Sequence, residues 1–142
     1  KTRTGALIVI APTTVANHIL ETGVELGAIV SSALLEAIFN TRAPFHDGAA
    51  IVKGNKVLAA GCFLPLSQSQ TVSKSLGTRH RAGIGITEES DMTTIIVSEE
   101  TGIISVAKKG ELRRFVTPDR LRDILHETLR ISSPSRYRSI SK

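Results

Sequence analysis

The sequence predicts a three-layer α/β domain, a mixed β-sheet with helices on both faces. Three observations carry that expectation: short apolar runs rich in β-branched residues, a two-residue hairpin turn at Gly54-Asn55, and two segments whose apolar residues recur at helical spacing.

The first run, Gly5-Ala6-Leu7-Ile8-Val9-Ile10-Ala11, is ended by Pro12; it is too short for a typical helix and branched enough to be a buried central strand. Thr14 is placed to cap a short helix running through Leu20, and Ser31-Ser32 starts a second whose Leu34, Leu35, Ile38 and Phe39 share one face. Pro44 then turns the chain toward Asp47. Residues 49–53 and 56–60 flank Gly54-Asn55 as antiparallel strands, the second continuing through Gly61-Cys62-Phe63-Leu64 to Pro65, before a polar loop at Ser67-Gln68-Ser69-Gln70. A helix is expected over 78–87 with Thr78 as its N-cap, although Gly83 and Gly85 each weaken it by ~1 kcal/mol relative to Ala, so tertiary packing must hold it. Strands over 93–98 and 103–108 are separated by a turn at Glu99-Glu100-Thr101-Gly102. Pro118 opens a terminal helix with Leu121, Ile124, Leu125 and Leu129 on one face. The division expected is a domain over 1–131 and a flexible Ser- and Arg-rich tail over 132–142.

With 41% apolar and 22% charged residues, 142 residues suffice for one packed core. The net charge of +5 suits a polyanionic ligand, but much of it sits late in the chain, from Arg113 onward, so charge alone does not argue for nucleic acid. Cys62 stands alone in an apolar run, which predicts a buried small hydrophobe and a reducing compartment. No apolar run approaches the roughly 18 residues of a membrane span, and Lys1 in place of Met predicts a fragment or a processed chain.

Two segments carry candidate chemistry. Gly77-Thr78-Arg79-His80-Arg81 sets two guanidinium forks at a helix start, where cations oppose the macrodipole unless an anion sits between them and the free N–H groups. His46-Asp47-Gly48-Ala49 supplies a carboxylate in a turn that backbone and ligand can approach closely, so Asp47 is a candidate ligand for Mg²⁺ or Mn²⁺, with His46 a further ligand better suited to Mn²⁺. The plain readings stay open: Asp47-Gly48 as an ordinary turn, the basic triplet as a solvated helix start, Phe63 and Leu64 as core, and Ser98-Glu99-Glu100 as a solvated strand end. His18 and His126 have no comparable neighbours. There is no P-loop, and Gly83-Ile84-Gly85 lacks the third glycine of a dinucleotide fingerprint.

These two segments, with Phe63-Leu64-Pro65-Leu66 and Ser98-Glu99-Glu100-Thr101-Gly102, resemble the diadenylate cyclase (DAC) domain family, marked by DGA and RHR triplets. The likeness runs from Arg3-Thr4-Gly5-Ala6 to about Leu125 and is greatest to the membrane-associated diadenylate cyclase A type. The resemblance implies the DAC-type fold and the joining of two ATP molecules into cyclic di-AMP, a bacterial second messenger, with release of two pyrophosphates. It implies catalytic roles for Asp47, Arg79, His80 and Arg81, nucleotide contacts from Gly48, Ala49, Phe63, Leu64, Gly77, Thr78, Arg79, Arg81, Ser98, Glu99 and Glu100, and a Mn²⁺ or Mg²⁺ shell drawn from Asp47, His46 and Glu100. Phe63 and Leu64 would meet adenine, by ring packing and by main-chain hydrogen bonding. The family usually has Tyr where Phe63 stands, which keeps stacking and loses a phenol hydrogen bond. Relatives often have Ala where Gly83 stands.

An aspartate is too weak a base for an alcohol, so Asp47 is expected to act through its metal, while the arginines hold phosphate and His80 orients or donates. One DGA and one RHR segment against a product with two equivalent linkages predicts catalysis by two facing copies, at least a transient homodimer. The expected setting is a cytoplasmic domain whose parent protein is anchored in the bacterial membrane by a preceding segment, with no nucleic-acid partner. Two other readings compete. One is a module that binds nucleotide without turning it over, or binds nucleic acid by its basic surface. The other is an HD-type phosphohydrolase using His46-Asp47 with His18 and His80, disfavoured because a hairpin follows Asp47.

Overall fold

The first apolar run becomes β1 (Ala6–Ile10), fourth of seven strands and buried on both sides. The computed structural model describes residues 4–44, 46–69, 76–88 and 90–132, with side chains as far as Glu127. After β1 come α1 (Asn17–Leu20), β2 (Val24–Ile29), α2 (Ser32–Ile38), β3 (Ala49–Lys53), β4 (Lys56–Cys62), α3 (Thr78–Thr87), β5 (Thr93–Val97), β6 (Ile104–Lys108), β7 (Glu111–Arg113) and α4 (Pro118–Ser132). The strands form one sheet in the order β2-β4-β3-β1-β5-β6-β7. Only β1 and β3 pair in parallel, with Val9 opposite Ile51; the other ladders are antiparallel, so the sheet is mixed.

Side-chain alternation along β1 divides the core in two. Leu7 and Val9 join Ile19 of α1 and Ala82, Ile84 and Ile86 of α3, whereas Ile8 and Ile10 join Ile38 of α2 and Leu121 and Leu125 of α4. Helices therefore cover both faces, the three layers expected from the sequence. Ser31 caps α2 by accepting the Leu34 N–H at 3.0 Å, and Thr117 does the same for α4 through Arg120 N–H at 3.1 Å, one residue before Pro118.

Several elements depart from expectation. The helix placed from Thr14 is a single turn, Asn17–Leu20, with Ala16 at its cap and no side-chain cap bond. β2 fills a stretch the sequence reading left unassigned: it is an edge strand whose Val24 and Ile29 are 49% and 67% exposed, and a register shift between Glu25 and Ala28, with Gly27 at φ 60°, breaks its alternation. β7, three residues long, is likewise new. β4 stops at Cys62 instead of running to Leu64, because the Phe63 N–H leaves the ladder for the Thr22 hydroxyl at 2.8 Å. Cys62 is buried, as expected, and burial pushes its thiol above the ordinary value. The tail beyond Ser132, Gln70 of the polar loop and the Leu129 side chain lie outside the described residues.

The two glycines of α3 are contact points. A Cβ on Gly83 would come within 2.8 Å of the Ile96 side chain, so its absence lets the helix lie close on β5, where Thr94 Oγ1 donates to the Gly83 carbonyl at 2.9 Å. A Cβ on Gly85 would run into the Pro65 carbonyl and the backbone of Leu66 and Ser67. Segment 65–67 is tied to the same helix by Ser67 N–H to the Arg81 carbonyl at 3.0 Å and Ser67 Oγ to Glu88 at 2.6 Å.

Candidate active site

The N-terminus of α3 opens into a cleft of about 690 Å³. Gly77, extended at φ −81° and ψ −176°, is the cap, and its carbonyl accepts the Arg81 N–H at 3.1 Å. Thr78 is thus the first helical residue and not the N-cap expected from the sequence. Gly77 has no side chain to cap with, and the positive end of the helix dipole faces the cleft beside Thr78 and Arg79.

Arg79 is held on two sides. Its guanidinium lies against Gly5, where a Cβ would strike Nη1, and Nη1 is 3.7 Å from the Glu99 carboxylate. With Glu99 57% exposed, that ion pair orients more than it stabilises. His80 is buried; desolvation first, then the charges of Arg114 and Arg79, hold its imidazole below the ordinary value of 6.5, and it is neutral at pH 7.

The Asp-Gly turn leads into the start of β3. Gly48 faces Gly61 of β4: a Cβ at 48 would sit 2.6–2.9 Å from Gly61 backbone atoms, and Gly61 has φ 71°. Two glycines in contact let Asp47 reach the cleft wall, where the carboxylate is exposed. Two residues beyond Gly61, the Phe63 ring is 67% exposed and, with half-buried Leu64, forms the apolar wall. This removes the core reading of Phe63. A large aromatic held open by a backbone hydrogen bond is a platform for a flat apolar ligand.

Ser98, Glu99 and Glu100 close the cleft from the end of β5. They form a built turn: the Ser98 carbonyl accepts Gly102 N–H at 2.8 Å and its hydroxyl accepts Thr101 N–H at 3.2 Å.

The structure therefore brings Asp47, Gly48, Phe63, Leu64, Gly77, Thr78, Arg79, His80, Ser98, Glu99 and Glu100 to one cleft. Three expected residues are not on its wall. Ala49 is buried in β3. Arg81 follows Arg79 by two residues, about 200° around the helix, so the two forks leave from different faces. His46 donates Nδ1–H to the Ala43 carbonyl at 2.8 Å, and among the described residues its Nε2 makes no hydrogen bond. Among the described residues no three of His, Cys, Asp and Glu converge, so His46, Asp47 and Glu100 do not make a closed metal cage. The HD-type reading loses its basis: β3 begins two residues after Asp47, where that class has helix, and His18 is exposed on α1. Sequence reasoning missed Arg114, which reaches the cleft only because β7 pairs with β6, and Thr22, whose hydroxyl sets Phe63; neither has a local signal.

A helix N-terminus flanked by an arginine, a carboxylate on a glycine turn and an exposed aromatic wall define a nucleotide-type binding site. Residues 1–112 match the family described as DAC, DisA bacterial checkpoint controller nucleotide-binding, and the chain belongs to that DAC family. It is 54% identical over 125 residues to the cyclic di-AMP synthase CdaA of Bacillus subtilis, covering 88% of this chain and 46% of that protein. It is 52% identical over 129 residues to a diadenylate cyclase of Listeria monocytogenes, covering 91% and 47%. The crystal structure of a double mutant of DacA from Staphylococcus aureus superposes with a TM-score of 0.86 at 48% identity over 89% of this chain and 85% of that one. A hypothetical membrane spanning protein from Bacillus cereus gives 0.75 at 44% identity, covering 80% and 55%. The chain spans about half the length of the curated relatives it matches. Among the described residues no helix is long and apolar enough to cross a membrane.

Proposed function

We propose that this chain is the catalytic domain of a diadenylate cyclase, which condenses two ATP into cyclic di-AMP and two pyrophosphates. The observation that carries the reading is the cleft itself: Asp47, the start of α3 with Arg79, and the exposed ring of Phe63 line one space. Membership of the DAC family and relatives named for cyclic di-AMP synthesis support it.

Each nucleotide lies with its adenine on Phe63 and the Leu64 main chain and its phosphates toward the α3 N–H groups and Arg79. Glu99 keeps the Arg79 fork aimed, and neutral His80 donates a hydrogen bond instead of adding charge. Arg81, off the cleft wall, contributes from the other side of the helix. Ser98 contacts phosphate from the opposite turn, with Glu99 and Glu100 beside it at the nucleotide. Each ribose 3′-oxygen attacks the other nucleotide's α-phosphorus, its O–H bond breaks, and the bond to pyrophosphate breaks as the new ester forms.

Among the described residues no three protein donors converge, but Asp47 and Glu100 both line the cleft, which suits a hard dication such as Mg²⁺ or Mn²⁺ that takes one or two carboxylates and completes its shell with substrate phosphates. Asp47 and Glu100 would hold it, with His46 Nε2 a third donor suited to Mn²⁺. Such an ion supplies Lewis acidity and a more acidic 3′-hydroxyl. One DGA and one RHR segment per chain against two linkages per product make the working unit a homodimer of facing clefts, transient or stable. The parent protein places this domain on the cytoplasmic side of the bacterial membrane through a segment preceding it.

Incubation of the purified chain with ATP and Mn²⁺ or Mg²⁺ should give cyclic di-AMP by mass spectrometry and two pyrophosphates per product. Asp47→Asn should abolish both while leaving the circular dichroism spectrum unchanged. Specific activity should rise with enzyme concentration and level off as dimers fill. ATP binding without cyclic di-AMP or pyrophosphate would leave a nucleotide-binding module and end the enzymatic reading.

A further inference from the structure

The segment after β7 delivers a cation to the cleft that the reading above does not use. Arg113 closes the β7 ladder opposite Val106, and Val116 N–H bonds the Ile104 carbonyl at 2.9 Å, so the two residues between are pinned at both ends. Phe115 takes φ 60° there, a costly conformation for a bulky side chain, and its ring is 69% exposed. The Arg114 guanidinium sits 5.2 Å from the centre of that ring and lines the cleft.

Two further facts distinguish Arg114 from an ordinary surface arginine. Among the described residues it makes no ion pair, whereas Arg79 has Glu99. Its charge is also felt at His80, on the first turn of α3, where it ranks ahead of Arg79 in lowering the imidazole pKa. The contact with the ring is a cation–π attraction, and among the described residues no hydrogen bond takes up the Arg114 N–H groups, so its fork can meet an anion.

We propose that Arg114 is a binding residue for the distal phosphates of the nucleotide, the part that leaves as pyrophosphate, with Phe115 as the support that holds its fork toward the cleft. The proposal rests on the nucleotide reading and adds a residue to it. Arg79 and the α3 N–H groups serve the phosphate nearest the reacting centre; Arg114 comes from a different element and meets the same chain of phosphates farther out.

Calorimetric titration of the Asp47→Asn chain, which binds without turnover, with ATP and with AMP tests this. AMP has no distal phosphates. In that background Arg114→Gln should weaken ATP on the order of tenfold, the loss of a charge-assisted contact, and leave AMP within about twofold. Arg114→Lys should restore part of the ATP affinity, and Phe115→Gly, which relieves the backbone and removes the support, should weaken ATP by less than Arg114→Gln and spare AMP. ATP affinity unchanged by Arg114→Gln, or ATP and AMP weakened equally, would overturn the assignment while the nucleotide reading stands. A chain with Arg114 intact that binds neither nucleotide would overturn both. Unaltered melting temperatures in the variants guard against misfolding as the cause.

Discussion

Alanine at Gly85 and alanine at Gly83 should have opposite consequences, though both change the same helix by the same methyl group. Removing a helical glycine gains about 1 kcal/mol from the unfolded chain. At Gly83 the added Cβ meets Ile96 Cδ1 at 2.8 Å, Cγ1 at 2.9 Å and Leu7 Cδ1 at 3.3 Å, all side-chain and not backbone atoms, so relief comes from repacking buried Ile96 and Leu7. The gain and the repacking cost then nearly cancel, and stability should stay within about 1 kcal/mol of the parent. At Gly85 the Cβ meets the Pro65 carbonyl, Ser67 N at 2.9 Å and Leu66 C at 3.0 Å, backbone atoms of a segment tied to the helix through the Ser67 N–H. Overpacking against backbone costs about 2–3 kcal/mol, so Gly85→Ala should lose about 1–2 kcal/mol net, roughly 3–6 °C in Tm. Urea denaturation followed by circular dichroism gives the free energies directly, with unchanged m-values confirming two-state behaviour. A Gly85→Ala chain as stable as the parent would refute the close-contact argument, and so would a Gly83→Ala chain losing more than Gly85→Ala.

Gly5→Ala tests the seat of Arg79: Gly5 does not have a positive φ, so the fold should persist, but the new Cβ displaces the guanidinium and should lower kcat/KM for cyclic di-AMP formation about tenfold. An unchanged value would show that Arg79 works from another position. For His80, the folded pKa lies below 6.5, so the unfolded chain binds more protons as pH falls through that value, and stability drops across the window between 6.5 and the folded pKa and then levels. Thermal melts from pH 7.5 to 5.0 should show a steeper decline for the parent than for His80→Gln; equal slopes would deny the buried neutral imidazole.

What could be read in the sequence was what local chemistry decides. β1 and the β3–β4 hairpin were legible because length, branching and Gly54-Asn55 leave few alternatives, and Ser31 and Pro118 mark helix starts with their own atoms. β2 was not, since an edge strand with exposed Val24 and Ile29 and a bulge at Gly27 carries no periodic signal. In the cleft, the triplets marked the right loops but not which way each side chain points: Arg79 and Arg81 look equivalent in sequence, and helix geometry separates them. Phe63 read equally well as core until Thr22, 41 residues earlier, proved to hold its backbone out of the ladder. Arg114 enters through pairing of β7 with β6, which no local pattern encodes.

The meeting of Gly48 with Gly61 acts as a ruler. Because main chain packs directly on main chain, with 2.6–2.9 Å left for any Cβ, the spacing between the backbones that carry Asp47 and Phe63 is set without any intervening side chain. The ring can therefore be exchanged for another shape without moving the backbone that carries the carboxylate, which makes position 63 a place to alter the apolar wall alone. Enlarging either glycine would instead change the gauge of the whole cleft, and no single replacement elsewhere in the wall would set it back.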